Sequence, residues 1–186
     1  MSWLDAKEAK SVVYVSFGSA GRMPPAQLMQ LGMALVSCPL PVLWLIKGTD
    51  SLPDDVKEWL RENTDADGVA GSKCLVVRGW APQVAILAHP AVGGFMTHCG
   101  WGSTLEAVAA GVPMATWPFF AEQFINEQLI VMKPLIGGDG RSVGQCSWPR
   151  DGTRPWPRER ACAATSTRGC APSKRRCCFV WCPHVS

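Results

Sequence analysis

The sequence has no run approaching the ~18 consecutive apolar residues that a membrane-spanning helix needs. Its N-terminus, Met1-Ser2-Trp3-Leu4-Asp5-Ala6-Lys7-Glu8, lacks the basic and apolar regions of a secretory leader. Membrane-spanning and secreted classes are therefore set aside, and a cytoplasmic protein is expected. Nine cysteines are present, yet none forms a C-x-x-C pair, the spacing usual in zinc sites. Cys162, Cys170, Cys177, Cys178, Cys182 and His184 accordingly earn no metal assignment, and a cytosolic chain does not favour disulfides. Charge is sparse as well: 18% of the 186 residues are charged against 47% hydrophobic, a balance that excludes a disordered chain and fits a soluble globular one.

The charge is also uneven. Residues 1–146 carry 10 Lys+Arg against 13 Asp+Glu, a net of −3, whereas residues 147–186 carry 8 against 2, a net of +6. Six of the nine cysteines fall in the final 41 positions. This final segment is rich in Arg, Pro, Cys and Trp and has neither helical nor strand periodicity. Its composition is that of G/C-rich coding DNA read in a wrong frame or through an intron, so it is read as an atypical tail, disordered or an artefact. Arg175-Arg176 beside Trp181 has the chemistry to touch nucleic acid, but a short basic tail is ordinarily solvated, and no nucleic-acid partner is expected.

The first piece alternates regularly. Val12-Val13-Tyr14-Val15 is a short apolar run without polar alternation, as in a strand buried on both faces; Val42-Leu43-Trp44-Leu45-Ile46 reads as a second buried strand and Cys74-Leu75-Val76-Val77-Arg78 as a third strand. Leu28, Leu31 and Leu35 recur at helical spacing behind Pro24-Pro25, and Asp54 to Arg61 reads as a charged helix. Strands are expected at Val92 to Thr97 and Met114 to Trp117. Helices are expected at Val84 to Leu87, Thr104 to Ala110 and Glu122 to Met132. Strands alternating with helices define an α/β fold, a Rossmann-like parallel sheet with flanking helices, whose ligands bind beyond the carboxyl ends of the strands.

The distinctive residues lie at those ends. In His98-Cys99-Gly100-Trp101-Gly102-Ser103-Thr104-Leu105-Glu106 a strand runs through a glycine turn into a helix, with Ser103 as the expected N-cap. Such a turn offers free N–H groups and a positive dipole end to an anion, and equally reads as an ordinary capped connection. Trp80, in Arg78-Gly79-Trp80-Ala81-Pro82-Gln83, offers a flat face for a base or a side chain for the core. Glu122 and Gln123, at another helix start, suit sugar hydroxyls or a helix cap.

All of these residues fall between Trp80 and Gln123, and together they resemble the donor-binding signature of plant family-1 UDP-glycosyltransferases. The matching positions are Trp80, Pro82, Gln83, Leu87, His89, Phe95, His98 to Trp101, Ser103, Glu106, Gly111 to Pro113, Pro118, Glu122 and Gln123. Trp3-Leu4-Asp5 and Val15-Ser16-Phe17-Gly18-Ser19 also look like this family. The Arg-Gly-Trp-Ala-Pro-Gln opening is similar to a branch that glycosylates flavonoids, other phenolics, triterpenoids and hormones.

The resemblance implies the C-terminal half of a GT-B glycosyltransferase, with a UDP-sugar donor domain at residues 1–135 and the tail at 136–186. It implies that Trp80 stacks on uracil, assisted by the Ala81 backbone and Gln83, while Glu106 accepts hydrogen bonds from both ribose hydroxyls. His98, Ser103 and Ser19 would contact the diphosphate, and Trp101, Glu122 and Gln123 would line the sugar. The terminal Gln is associated with UDP-glucose. Gly102 stands where the family has Asn, which removes one side-chain donor near the phosphates.

The family's general-base His and its orienting Asp belong to an N-terminal domain, and neither His89, His98 nor His184 matches that base, so no catalytic residue is expected in this chain. The implied reaction transfers glucose from UDP-glucose, with inversion, to a hydroxyl of a small lipophilic acceptor. UDP-glucose is the donor substrate, no cofactor or metal is expected, and no obligate protein partner is implied. The alternative is a catalytically dead UDP-binding fragment or pseudogene product. A truncated sheet would also expose apolar surface, so marginal stability is expected.

Overall fold

The computed structural model describes residues 1–18, 23–64, 73–132 and 145–147. Ser19, most of the segment 136–186, and Cys162, Cys170, Cys177, Cys178, Cys182 and His184 lie outside the described residues. After a short helix α1 (Ser2–Asp5) the chain alternates through β1 (Val12–Ser16), α2 (Pro25–Val36), β2 (Val42–Ile46), α3 (Asp54–Asn63), β3 (Cys74–Arg78) and α4 (Gln83–Leu87). It continues through β4 (Val92–Thr97), α5 (Trp101–Ala109), β5 (Met114–Thr116), α6 (Gln123–Met132) and β6 (Gln145–Ser147). The six strands form one parallel sheet in the order β3-β2-β1-β4-β5-β6. β6 lies beyond position 135, on the far side of the boundary assigned to the tail.

Every residue of β1, β2, β4 and β5 is buried, which is why these strands carry continuous apolar runs. The pleat divides them between two cores. Val12 and Tyr14 join Leu43, Leu45, Phe95 and Ile130 on one face, with Trp3 and Leu4 of α1. Val13 and Val15 join Leu28, Leu31, Leu35, Trp44, Val56 and Leu60 on the other, beneath α2 and α3. β3, at the sheet edge, alternates between buried and partly exposed residues instead. Tyr14 and Phe95, paired across β1 and β4, stack with ring centroids 5.1 Å apart. His89 Nε2 lies 3.0 Å from Asp5 Oδ1 and ties the turn after α4 to α1.

β4 carries one extra residue against β1: Val12 pairs with Val92, but Val13 pairs with Gly94. Gly93 is therefore the bulged position, and a Cβ there would sit 2.2 Å from the Lys10 carbonyl oxygen. Lys10 itself adopts φ 60, so the loop entering β1 is pressed against β4 at this point. Gly93→Ala is expected to cost about 1–3 kcal/mol, the range for forcing atoms into a filled site. Gly102→Ala, where a Cβ meets nothing within 4 Å, should stay within about 1 kcal/mol of the parent. Urea unfolding midpoints check both, and an unshifted Gly93→Ala would contradict the bulge.

Candidate functional site

The strand order reverses between β1 and β4: the connection from β1 runs outward to β2, and that from β4 runs the other way to β5. A crevice opens at the carboxyl ends of such a strand pair. Ser16 and Thr97 are paired in register, so Phe17-Gly18 and His98-Cys99 leave the sheet side by side. The His98 ring occupies the space between two glycines. A Cβ on Gly18 would lie 2.5 Å from its Cε1, and one on Gly100 would lie 2.4 Å from its Nε2. Only 8% of His98 is exposed, and among the described residues its Nδ1 has no hydrogen-bond partner. Burial pushes the imidazole below its ordinary value near 6.5, and the charge of Glu122 only partly opposes this.

α5 begins earlier than expected. Its first residue is Trp101 and its N-cap is Gly100, with no side-chain capping bond. Ser103 is therefore the third residue of the helix and not its N-cap. The reason lies in the preceding turn: Cys99 takes φ 66 and Gly100 returns to φ −62, ψ 140, so the chain is already aimed along the helix at Trp101. The Ser103 hydroxyl accepts a hydrogen bond from Gln83 Nε2 at 2.9 Å and keeps its own O–H as a donor.

Gln83 joins the two walls of the site. The same Nε2 donates to Glu106 Oε2 at 2.8 Å, and the Tyr14 hydroxyl donates to Oε1 at 3.3 Å. These three bonds settle which way the amide faces. Tyr14 remains a donor at any working pH because burial pushes its phenol up to about 12, partly countered by a bond to Ser16 and reinforced by the charge of Glu106. A carboxylate offers about four lone-pair sites, so Glu106 retains capacity for further donors. Sequence reasoning did not single out Tyr14: in the strand pattern it is one more buried aromatic, and its partner lies 69 residues away.

Trp80 is 76% exposed, which decides between the two readings of this residue: it is a surface face and not a core side chain. Trp101 and Glu122 are exposed too, and Gly102 is open. Gln123 is buried, and its Oε1 accepts hydrogen bonds from the backbone N–H groups of Phe119 at 2.9 Å and Phe120 at 3.3 Å. It thereby shapes the loop after β5, with its amide nitrogen remaining as a donor. The structure brings Gln83, Ser103 and Glu106 into direct contact and packs His98 against Gly18 and Gly100. Among the described residues no group of three or more potential metal ligands is clustered, and no helix is long and apolar enough to cross a membrane.

A parallel sheet in this strand order is Rossmann-like, and the comparisons match it to one half of GT-B glycosyltransferase structures. Residues 2–137 match the family model for UDP-glucoronosyl and UDP-glucosyl transferase. The chain belongs to that family. It is 51% identical over 140 residues to UDP-glucosyl transferase 73CC6 of Saponaria officinalis, covering 74% of this chain and 29% of that protein. Among solved structures, that of Os79 from O. sativa in complex with UDP superposes with a TM-score of 0.63 at 30% identity, over 82% of this chain and 30% of that one. Phytolacca americana UGT2, complexed with UDP-2fluoro-glucose and pterostilbene, gives a TM-score of 0.61 at 32% identity, over 81% of this chain and 31% of the other. The chain thus spans about three-tenths of the length of these relatives.

The buried imidazole sets a pH dependence. With its folded value below the unfolded one near 6.5, the unfolded chain binds the proton first as pH falls. The contribution to stability is full above the unfolded value and is lost as pH drops through the folded one. Between about pH 7 and about pH 5.5 the parent should lose more stability than His98→Gln. Equal slopes in denaturant titrations across that range would refute a neutral His98.

Proposed function

We propose that this chain is the donor-nucleotide half of an inverting glucosyltransferase that uses UDP-glucose. The observation that carries the reading is the Gln83–Ser103–Glu106 cluster, in which the first residue of α4, three residues after an exposed Trp80, bonds to the first turns of α5. Trp80 supplies the face for uracil, with the Ala81 backbone and Gln83 beside it. Glu106, held by Gln83, accepts from the two ribose hydroxyls. His98, Ser103, Ser19 and the free N–H groups opening α5 take the diphosphate, whose charge the helix dipole favours. Trp101, Glu122 and Gln123 face the sugar, and the Gln marks glucose.

Attack by a small lipophilic acceptor, a phenolic, terpenoid or hormone hydroxyl, would displace UDP in line. This step needs a general base that none of the residues named here supplies, and without it proximity alone does not complete the transfer. The donor domain is assigned to residues 1–135, in the cytoplasm, and 136–186 to an atypical tail, of which β6 pairs with β5 in the domain's sheet. A second reading, a chain that holds UDP weakly and transfers nothing, is favoured by one residue, Gly102. The open space around it would accept the side chain of Asn.

Calorimetric titration of the purified chain with UDP and UDP-glucose tests the proposal. Both should bind saturably, and Glu106→Ala should weaken binding about tenfold to a hundredfold, since hydrogen bonds to a charged group contribute ~1.5–3 kcal/mol. Gly102→Asn should tighten binding about tenfold by restoring a donor to the phosphates. Absence of heat from a chain that still unfolds cooperatively would sink the donor-site reading. Glucose transfer to a phenolic acceptor, followed by chromatography, separates the transferase from the inert fragment.

A further inference from the structure

We propose that Asn126 is a positioning residue for the diphosphate, acting through the turn that joins β4 to α5; the inference rests on the UDP-site reading above. Cys99 at the centre of that turn is fully buried and adopts φ 66, a region that residues bearing a Cβ disfavour and glycine enters freely. Something must hold it there. The Cys99 carbonyl accepts a hydrogen bond from Asn126 Nδ2 at 2.9 Å, across 27 residues of sequence, and the whole contact is buried. Asn126 is 7% exposed and lies in the second turn of α6, so the restraint comes from a separate element packed behind the site.

The conformation of Cys99 decides two things at once. It aims the preceding residue, His98, into the gap between Gly18 and Gly100. It also sets the direction in which α5 starts at Trp101, and so where the N–H groups of residues 100–103, ahead of the first helical bond from Thr104 to Gly100, point. Both are groups assigned to the phosphates, and neither is assigned to uracil or ribose. Loss of the Asn126 bond should therefore remove the affinity that the diphosphate adds and spare that of the nucleoside. A residue that merely stabilises the fold would weaken the two together.

The test uses the full 186-residue chain, with Asn126→Ala and the near-isosteric Asn126→Leu, which has no hydrogen to donate. The ratio of UDP to uridine affinity should fall about tenfold in both variants, the effect of one buried hydrogen bond, with uridine affinity within about twofold of the parent. In the unliganded chain, amide hydrogen exchange at residues 100–103 should accelerate while that of β1 stays unchanged. Introducing Cys99→Gly, which relieves the backbone constraint, should restore the ratio in Asn126→Ala. An unchanged ratio, an equal loss for both ligands, parent-like behaviour of Asn126→Leu or unchanged exchange at 100–103 overturns the proposal. A parent chain with no preference for UDP over uridine, but whose exchange responds to Asn126→Ala, shows instead that the UDP-site reading is wrong and confines Asn126 to holding the turn.

Discussion

The reversal of strand order between β1 and β4 is the constraint on which the site depends. In a parallel sheet every connection must cross from the carboxyl end of one strand to the amino end of the next, and here the crossings from two neighbouring strands diverge. The register pairs Ser16 with Thr97, so the first residues beyond the sheet on both strands must share the same few ångströms. Gly18 and Gly100 leave that space to the His98 ring. The imidazole is thus placed by the sheet, through register and the absence of two Cβ atoms, more than by any hydrogen bond of its own. Its Nδ1 is a buried polar atom with no partner among the described residues, and such atoms are ordinarily met by a protein group, a water or a ligand.

The groups gathered there are mostly neutral. Tyr14 keeps its proton because burial raises its phenol to about 12, and burial likewise disfavours the charged form of His98. Gln83 carries no charge. The carboxylate of Glu106 sits well over a turn into α5, where hydroxyl donors suit it better than phosphate oxygens do. Favourable treatment of an anion at the head of α5 falls mainly to backbone N–H groups and the helix dipole. Fixed dipoles act only when correctly aimed, whereas a lysine or arginine follows its anion on a flexible stem. A site built in this way is sensitive to backbone placement, which is why the turn at Cys99 matters more than its small side chain suggests.

Most of the fold was legible because its central strands are buried on both faces and so spell themselves out as apolar runs: Val42–Ile46 and Val92–Thr97 have the expected boundaries, as does the edge strand Cys74–Arg78. Helix α5 was not placed correctly, because Ser103 looks like a cap and nothing in the local pattern reveals that Cys99 takes a positive φ. Trp80 could be read either way until its exposure was known. Tyr14 and Asn126 were not singled out for the opposite reason. Each sits within an apolar periodic segment, and its polar atom finds a partner on a distant element: Gln83 in one case and Cys99 in the other. Motif spacing brings out residues that face a ligand along one stretch of chain. It says little about residues that hold those ligand-facing groups from behind.

Helix α6 shows how much of this holding one element can do. Within five residues it sends three buried polar side chains inward: Gln123 to the backbone after β5, Asn126 to the turn after β4, and Glu127 to Thr116 Oγ1 at 2.9 Å. Apolar residues of similar size would dispense with the desolvation of these groups, because a buried polar group contributes little net stability even when fully paired. The same helix leaves Ile125 and Leu129 exposed, so its inward polar residues do not reflect a shortage of apolar ones. Paired polar groups have fixed directions where apolar contacts have none, and a mispaired one carries the full cost of an unmet donor or acceptor. The arrangement gives up packing energy for geometry. It fixes the loops after β4 and β5 to a common support, so that groups assigned to the phosphates and groups assigned to the sugar keep a set distance from each other.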